Sequence, residues 1–203
     1  MMLISDRVGR SRDNIADPTG MQHWDWGVIG ALDNGAALNS AAGTPARNPG
    51  IQTTALDLAR LAREVADDLA ALAERARITV RTALPPSATA VGHEAALRMA
   101  ITNLLDNALR YTPAGGEVQL AVTEDAGSWR VAVSDTGPGL AADEQERVFD
   151  RFYRGRDSKA PGSGLGLAIV REVARLHGGE TFIRAGPGGR GLTVGLRLPA
   201  ARP

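Results

Sequence analysis

The chain contains no cysteine among its 203 residues. Disulfides, thiolate metal ligands and thiol nucleophiles are thereby excluded, and the composition fits a reducing compartment, so a cytoplasmic location is expected. Histidine is scarce at three residues, and aromatic residues make up only 4%. A surplus of one charge is missing too, since Lys+Arg and Asp+Glu both number 23. With no net field to draw polyanions, no nucleic-acid partner is expected. The opening ten residues carry Asp6, Arg7 and Arg10 and lack the apolar h-region of a secretory signal. No run approaches the roughly 18 apolar residues of a membrane span, so no membrane insertion by this chain is expected.

What is present reads as one domain and a tail. Hydrophobic content of 43% and charged content of 23% are ordinary globular values. Residues 1–50 are rich in Gly, Ala, Asn and Asp, are broken by Asp17-Pro18, Thr44-Pro45 and Asn48-Pro49, and hold no sustained period. They read as a disordered tail or, alternatively, as a docking segment anchored by Trp24 and Trp26. Residues 51–200 form the expected domain. Leu58, Leu61, Val65, Leu69, Leu72 and Ala76 recur at helical spacing and predict one helix. Ile78–Thr82 reads as a short strand. A second helix is predicted from Glu94 to Arg110 on the stripe Leu97, Ile101, Leu104, Leu105 and Ala108. Alternation predicts strands at Val118–Val122 and Trp129–Val133, and a third helix from Gly164 to His177 ends at Gly178-Gly179. A last hairpin, 181–185 and 192–198, encloses the Gly186–Gly191 loop. These blocks predict a two-layer α/β sandwich, with a mixed, largely antiparallel sheet covered on one face by about three helices.

Three patches carry chemistry. On the second helix Asn103, Asn107 and Arg110 fall on one face, opposite the apolar stripe. A carboxamide oxygen suits Mg²⁺, which takes hard oxygen ligands and usually keeps substrate phosphates in its shell. Taken alone, two helical asparagines read as a solvated face. Asp135-Thr-Gly-Pro-Gly139 follows directly on a strand; there a carboxylate can accept from an exocyclic amine while glycines allow close backbone approach. Gly162-Ser-Gly-Leu-Gly166 precedes the third helix, where free N–H groups and the helix dipole favour phosphate.

In this order the patches resemble the nucleotide-binding boxes of sensor histidine kinases. Asn103-Leu-Leu-Asp-Asn107-Ala-Leu-Arg-Tyr-Thr112 is similar to their N box and Asp135-Thr-Gly-Pro-Gly-Leu140 to their G1 box. Phe149-Asp-Arg-Phe-Tyr-Arg154 is similar to their F box, and Gly162-Ser-Gly-Leu-Gly-Leu-Ala-Ile-Val170 to their G2 box. The resemblance covers residues 52–199 and implies a GHKL-type ATP-binding fold. It implies that Asn107 coordinates Mg²⁺ while Asn103 supports the phosphate side. It further implies that Arg110, where many members have Lys, contacts the terminal phosphates, and that Tyr111 flanks the nucleotide. Asp135 is implied to recognise the adenine amine, with Gly137 and Gly139 shaping the pocket. Phe149 and Phe152 are implied to anchor a mobile lid, Tyr153–Pro161. Gly162, Gly164 and Gly166, with Ser163, Leu165 and Leu167 between and after them, are implied to hold the phosphates.

The sequence departs from that family in lacking the dimerising hairpin with its His-acidic phosphoacceptor. His23 lies in the tail, His93 stands where the family usually has Asp and reads as a surface substitution, and His177 reads as a helix C-terminal residue favoured by the dipole. The expected function is therefore transfer of the ATP γ-phosphoryl group to a histidine on a separate partner protein, with a response regulator downstream. The alternatives are a GHKL-type ATPase, an anti-sigma-type serine kinase, and an inactive ATP-binding remnant. The ATPases carry a carboxylate general base one turn before the metal-binding Asn; here that position is Asn103, which cannot take a proton. The F box speaks against the serine kinase.

Overall fold

A computed structural model describes residues 53–155 and 162–200. The readings placed on residues 1–50, His23 included, and on 156–161 of the lid lie outside the described residues. Among the described residues, no helix is long and apolar enough to cross a membrane.

Twelve α and β elements follow in order: β1 (Thr54–Asp57), α1 (Leu58–Asp68), α2 (Ala70–Ala76), β2 (Thr79–Ala83), β3 (Thr89–Gly92), α3 (Glu94–Tyr111), β4 (Glu117–Asp125), β5 (Ser128–Asp135), α4 (Ala142–Gln145), α5 (Gly166–Leu176), β6 (Glu180–Ala185) and β7 (Leu192–Pro199). The main sheet has five strands in the order β2-β4-β5-β7-β6; β2 pairs parallel with β4 and the remaining pairs are antiparallel. The mixed, largely antiparallel α/β sandwich expected from the sequence is thus the fold.

Strand alternation decides which face is covered. Val118, Leu120 and Val122 on β4 are buried while Gln119 and Thr123 are exposed. Register then aligns Leu120 with Val133 and Val133 with Val194, so one apolar row crosses three strands. Onto it pack the apolar faces of α1, α3 and α5, supplying Leu58, Leu61, Val65, Leu97, Ile101, Leu104, Leu105, Val170 and Val173. Each such side chain contributes about 1.5–3 kcal/mol by burial.

Three boundaries differ from the sequence reading. The stripe from Leu58 to Ala76 spans two helices, kinked at Leu69 (φ −96°, ψ 1°), although the Leu69 N–H still reaches the Val65 carbonyl at 3.2 Å. The third helix begins at Gly166 rather than Gly164, which leaves Gly164 free to take φ +73° in the preceding loop. A small two-stranded sheet, β1 with β3, has no counterpart in the predicted elements. Asp57 ties it to α1: its Oδ1 accepts from the N–H groups of Ala59 (2.9 Å) and Arg60 (3.3 Å) as the N-cap, and from Ala88 (3.0 Å) just before β3.

Candidate nucleotide site

Helices α3 and α5 run antiparallel, because the start of α5 lies against the middle of α3 and its end lies against the start of α3. A Cβ added to Gly166 would stand 3.0 Å from Asn103 Oδ1, and one added to Gly162 would stand 3.7 Å from an Arg110 guanidinium nitrogen. The N-box face and the glycine-rich loop, separated by some fifty residues of chain, are thereby brought together. Asn103, Asn107 and Arg110 are half-buried. Asn103 donates from Nδ2 to the Met99 carbonyl at 2.8 Å, which fixes the amide and turns its oxygen toward Gly166. Arg110 pairs with Asp106 one turn earlier at 2.8 Å. Among the described residues, the Asn107 carboxamide is engaged by no hydrogen bond.

Among the described residues no side chain caps α5, whose N-cap position is Leu165. The start of α5 is thus a positive helix end, with Asn103 beside Gly166 and the Arg110 guanidinium beside Gly162 just before it. Ser163 is exposed, and Leu165 and Leu167 are half-buried at this turn.

Beside Tyr111 at the end of α3, Asp135 closes β5 and is buried, at 8% exposure. Burial pushes its carboxyl above the ordinary aspartate value; N–H groups of Gly137 (2.8 Å) and Leu192 (3.4 Å), both donating to Oδ1, pull it back without cancelling the shift. Among the described residues Oδ2 accepts no hydrogen bond, so the carboxylate keeps one oxygen for an outside donor. The wall is made by close backbone approach. A side chain on Gly137 would meet Asp135 Oδ1 and the Tyr111 carbonyl, each at 2.8 Å, and Gly191 (φ +66°) has its Cα against the Asp135 carbonyl, leaving no room for a Cβ. Gly139 (φ +76°) faces the Gly191 carbonyl. The Gly186–Gly191 loop, read from the sequence only as a hairpin turn, is thus a wall of the Asp135 site. Its glycine density was the signal available.

The F box divides in two. Phe149 is buried at 8% exposure, whereas Phe152 is 71% exposed with φ +63°, so burial fixes only the first. Backbone fixes the second: the Phe152 N–H donates to the Gly164 carbonyl at 3.0 Å, and a Cβ on Gly164 would strike the Phe152 backbone. Tyr153 is held by Arg147 stacked 4.8 Å from its ring and by its hydroxyl donating to Glu144 Oε1 at 3.1 Å.

Two histidine readings change. His93 is the N-cap of α3, accepting from the Ala96 N–H on Nδ1 at 3.2 Å, rather than a mere surface substitution. His177 is half-buried, and its Nε2 accepts from the His93 N–H at 3.0 Å, so it is a neutral ring and not a dipole-favoured cation. Burial holds it below the ordinary histidine value; the Nδ1 contact to the Val173 carbonyl at 2.7 Å opposes this, and His93 nearby adds to it.

Residues 92–202 match the family described as "Histidine kinase-, DNA gyrase B-, and HSP90-like ATPase". The chain belongs to this family, and it corresponds to the ATP-binding catalytic part of sensor histidine kinases. It is 40% identical over 149 residues to the sensor protein kinase PmrB of Pseudomonas aeruginosa, covering 73% of this chain and 31% of that one. The ATP-binding domain of PrrB from Mycobacterium tuberculosis superposes with a TM-score of 0.61 at 30% identity, over 74% of this chain and 99% of that domain. Full-length ShkA, solved in complex with AMPPNP, superposes at 0.67 with 32% identity, over 75% of this chain and 32% of that one. The chain spans about a third of the length of the curated relatives it matches, 31% for PmrB and 32% for the mycobacterial kinase SenX3.

Proposed function

We propose that this chain binds ATP with Mg²⁺ between α3 and the Asp135 wall and transfers the γ-phosphoryl group to a histidine of a separate partner protein, which then feeds a response regulator. The observation that carries this reading is the start of α5, capped by no described side chain and set against Asn103 and Arg110, with Asp135 buried beside Tyr111 as an acceptor. A nucleotide matches that polarity, with a neutral amine donor at one end and polyanionic phosphates at the other. Asp135 Oδ2 accepts from the adenine amine while the glycine wall receives the ring. The α5 N–H groups and the Arg110 guanidinium take the phosphates, and Tyr111 borders them.

Mg²⁺ suits the donor set. Among the described residues no group of three or more His, Asp or Glu could hold a metal alone. The Asn107 amide oxygen, a hard ligand of the kind Mg²⁺ takes, would hold the ion. When bound, it neutralises charge on the phosphates.

The partner's imidazole nitrogen forms the new N–P bond in line as the bond to the β-phosphate oxygen breaks, ADP leaves, and the imidazole proton passes to a base on the partner. This chain contributes position and charge. One turn before Asn107 it places Asn103, a fixed amide that cannot take a proton from water, and this favours transfer over hydrolysis. Nor do its described histidines offer an acceptor nitrogen, since His177 spends both ring nitrogens on backbone groups and His93 caps a helix. Calorimetry with ATP and GTP tests the nucleotide half of the reading. Magnesium-dependent ATP binding with GTP weaker by about tenfold or more is expected, since a mismatched buried polar pair costs about 1–3 kcal/mol. Equal affinity for the two nucleotides would contradict the Asp135 assignment.

A further inference from the structure

Asn103, Asp106, Asn107 and Arg110 recur at spacings of three and four, so they share one face of α3, opposite the apolar stripe. A carboxylate on that face calls for a reason, because it repels the phosphates that the neighbouring residues suit. Asp106 does not stand there as a bare charge. Its Oδ2 accepts from Arg110 Nη2 at 2.8 Å, and the two side chains keep only 34% and 24% of their surface in water. At that depth the pair is screened less than an ion pair on the open surface, where the contribution would be near zero.

The guanidinium turns its two terminal nitrogens to different places. Nη2 is held by Asp106, whereas Nη1 lies at the glycine-rich loop, where a Cβ added to Gly162 would stand 3.7 Å from it. Arginine reaches such a point through a long side chain with many rotamers to lose. A carboxylate four residues earlier on the same helix face removes much of that freedom before any ligand arrives. The pair is neutral as a whole, so Asp106 adds no attraction for an anion. What it supplies is direction.

We propose that Asp106 is a positioning residue, which holds the Arg110 guanidinium so that Nη1 faces the terminal phosphates of ATP at the Gly162 turn. This role rests on the placement of those phosphates at the start of α5. Asp106 touches no phosphate and acts through Arg110 alone. A change of sign follows. With Arg110 present, loss of the Asp106 charge frees the guanidinium and weakens ATP binding; with Arg110 absent, the same loss only removes a repulsion.

Calorimetry with ATP and Mg²⁺, and by competition with AMP, tests this on the full chain, on Asp106→Asn, Asp106→Glu and Arg110→Ala, and on Asp106→Asn combined with Arg110→Ala. Asp106→Asn should weaken ATP about three- to tenfold, the cost of ordering one rotamer-rich side chain on binding, and leave AMP unchanged. Asp106→Glu, whose carboxylate still reaches the guanidinium, should recover part of that loss. In the Arg110→Ala background, Asp106→Asn should leave ATP binding unchanged or tighter. Thermal melting of each variant checks the fold. Equal weakening of ATP by Asp106→Asn in both backgrounds overturns the proposal, because Asp106 would then act on the fold and not through Arg110. Wild-type or tighter ATP binding in Asp106→Asn, with Arg110→Ala weakened, also overturns it and leaves the nucleotide site standing. Wild-type ATP binding in Arg110→Ala removes Arg110 from the phosphates, and the role of Asp106 falls with that placement.

Discussion

The Nε2 atom of His177, at the end of α5, accepts a hydrogen bond from the backbone N–H of His93, at the start of α3, across 3.0 Å. Gly92 makes the contact possible, since a Cβ there would come within 2.9 Å of the His177 ring. The bond pins together the start of α3 and the end of α5, away from the proposed phosphate site, and it exists only while Nε2 carries no proton.

Acid should therefore loosen this joint. The folded state holds His177 below its unfolded value, chiefly through burial, so in the window below about 6.5 the unfolded chain binds more protons than the folded one. The stability that His177 contributes is fully present above that unfolded value and is lost as pH falls through the window. Urea midpoints measured between pH 7.5 and 5.5 should decline, and His177→Gln should flatten the decline. An unchanged slope in the variant would place the pH dependence elsewhere.

Asp57→Ala should destabilise the domain by about 1–3 kcal/mol, because one carboxylate oxygen serves an N-cap and the Ala88 N–H together. Burial raises the Asp57 carboxyl, but the N–H groups of Ala88, Arg60 and Ala59 and the Ser87 hydroxyl together carry it below its ordinary value. Its contribution is thus present above about pH 4 and fades as pH falls further. Chemical denaturation of the variant measures the loss, and a difference under about 0.5 kcal/mol would mean that water replaces these contacts.

Most of the fold was legible because periodicity is local. Leu97, Ile101, Leu104, Leu105 and Ala108 announce α3, and Val118, Leu120 and Val122 announce β4, without reference to anything distant. Thr54–Asp57 and Thr89–Gly92 were not legible, since four-residue strands that satisfy each other have no period of their own. The kink at Leu69 also left no trace, because the apolar stripe continues across it. Of the site, Asn103, Asn107, Arg110, Asp135 and the Gly162–Gly166 turn were visible as residue types at telling spacings. The Gly186–Gly191 wall and the His93–His177 bond were not, for each joins segments more than fifty residues apart and takes as one partner a backbone atom, which carries no residue-specific signal.

At the nucleotide end, Asp135→Asn keeps the shape and removes the charge. It should weaken ATP binding about tenfold or more, the cost of a mispaired buried hydrogen bond. Gly191→Ala should also impair ATP binding, because a left-handed φ and contact with the Asp135 carbonyl both exclude a side chain. Calorimetry on both variants checks this; wild-type affinity in Asp135→Asn would remove the carboxylate from the account.

Hydrogen exchange should respond at Phe152 and across Gly162–Gly166, since the Phe152–Gly164 hydrogen bond links the F box to the loop proposed to hold the phosphates. Slower exchange there with an ATP analogue is expected, and equal protection with and without it would argue that the loop does not meet the phosphates.

The most direct measurement is incubation of the purified chain with γ-labelled ATP, alone and with a separate histidine-bearing hairpin protein from a sensor kinase. Near absence of label on the chain itself is expected, together with acid-labile label on the added hairpin that disappears with Asn107→Ala and with removal of Mg²⁺. Acid-labile label on the chain in the absence of any partner, abolished by His23→Gln, would contradict the account and make its own N-terminal segment the substrate.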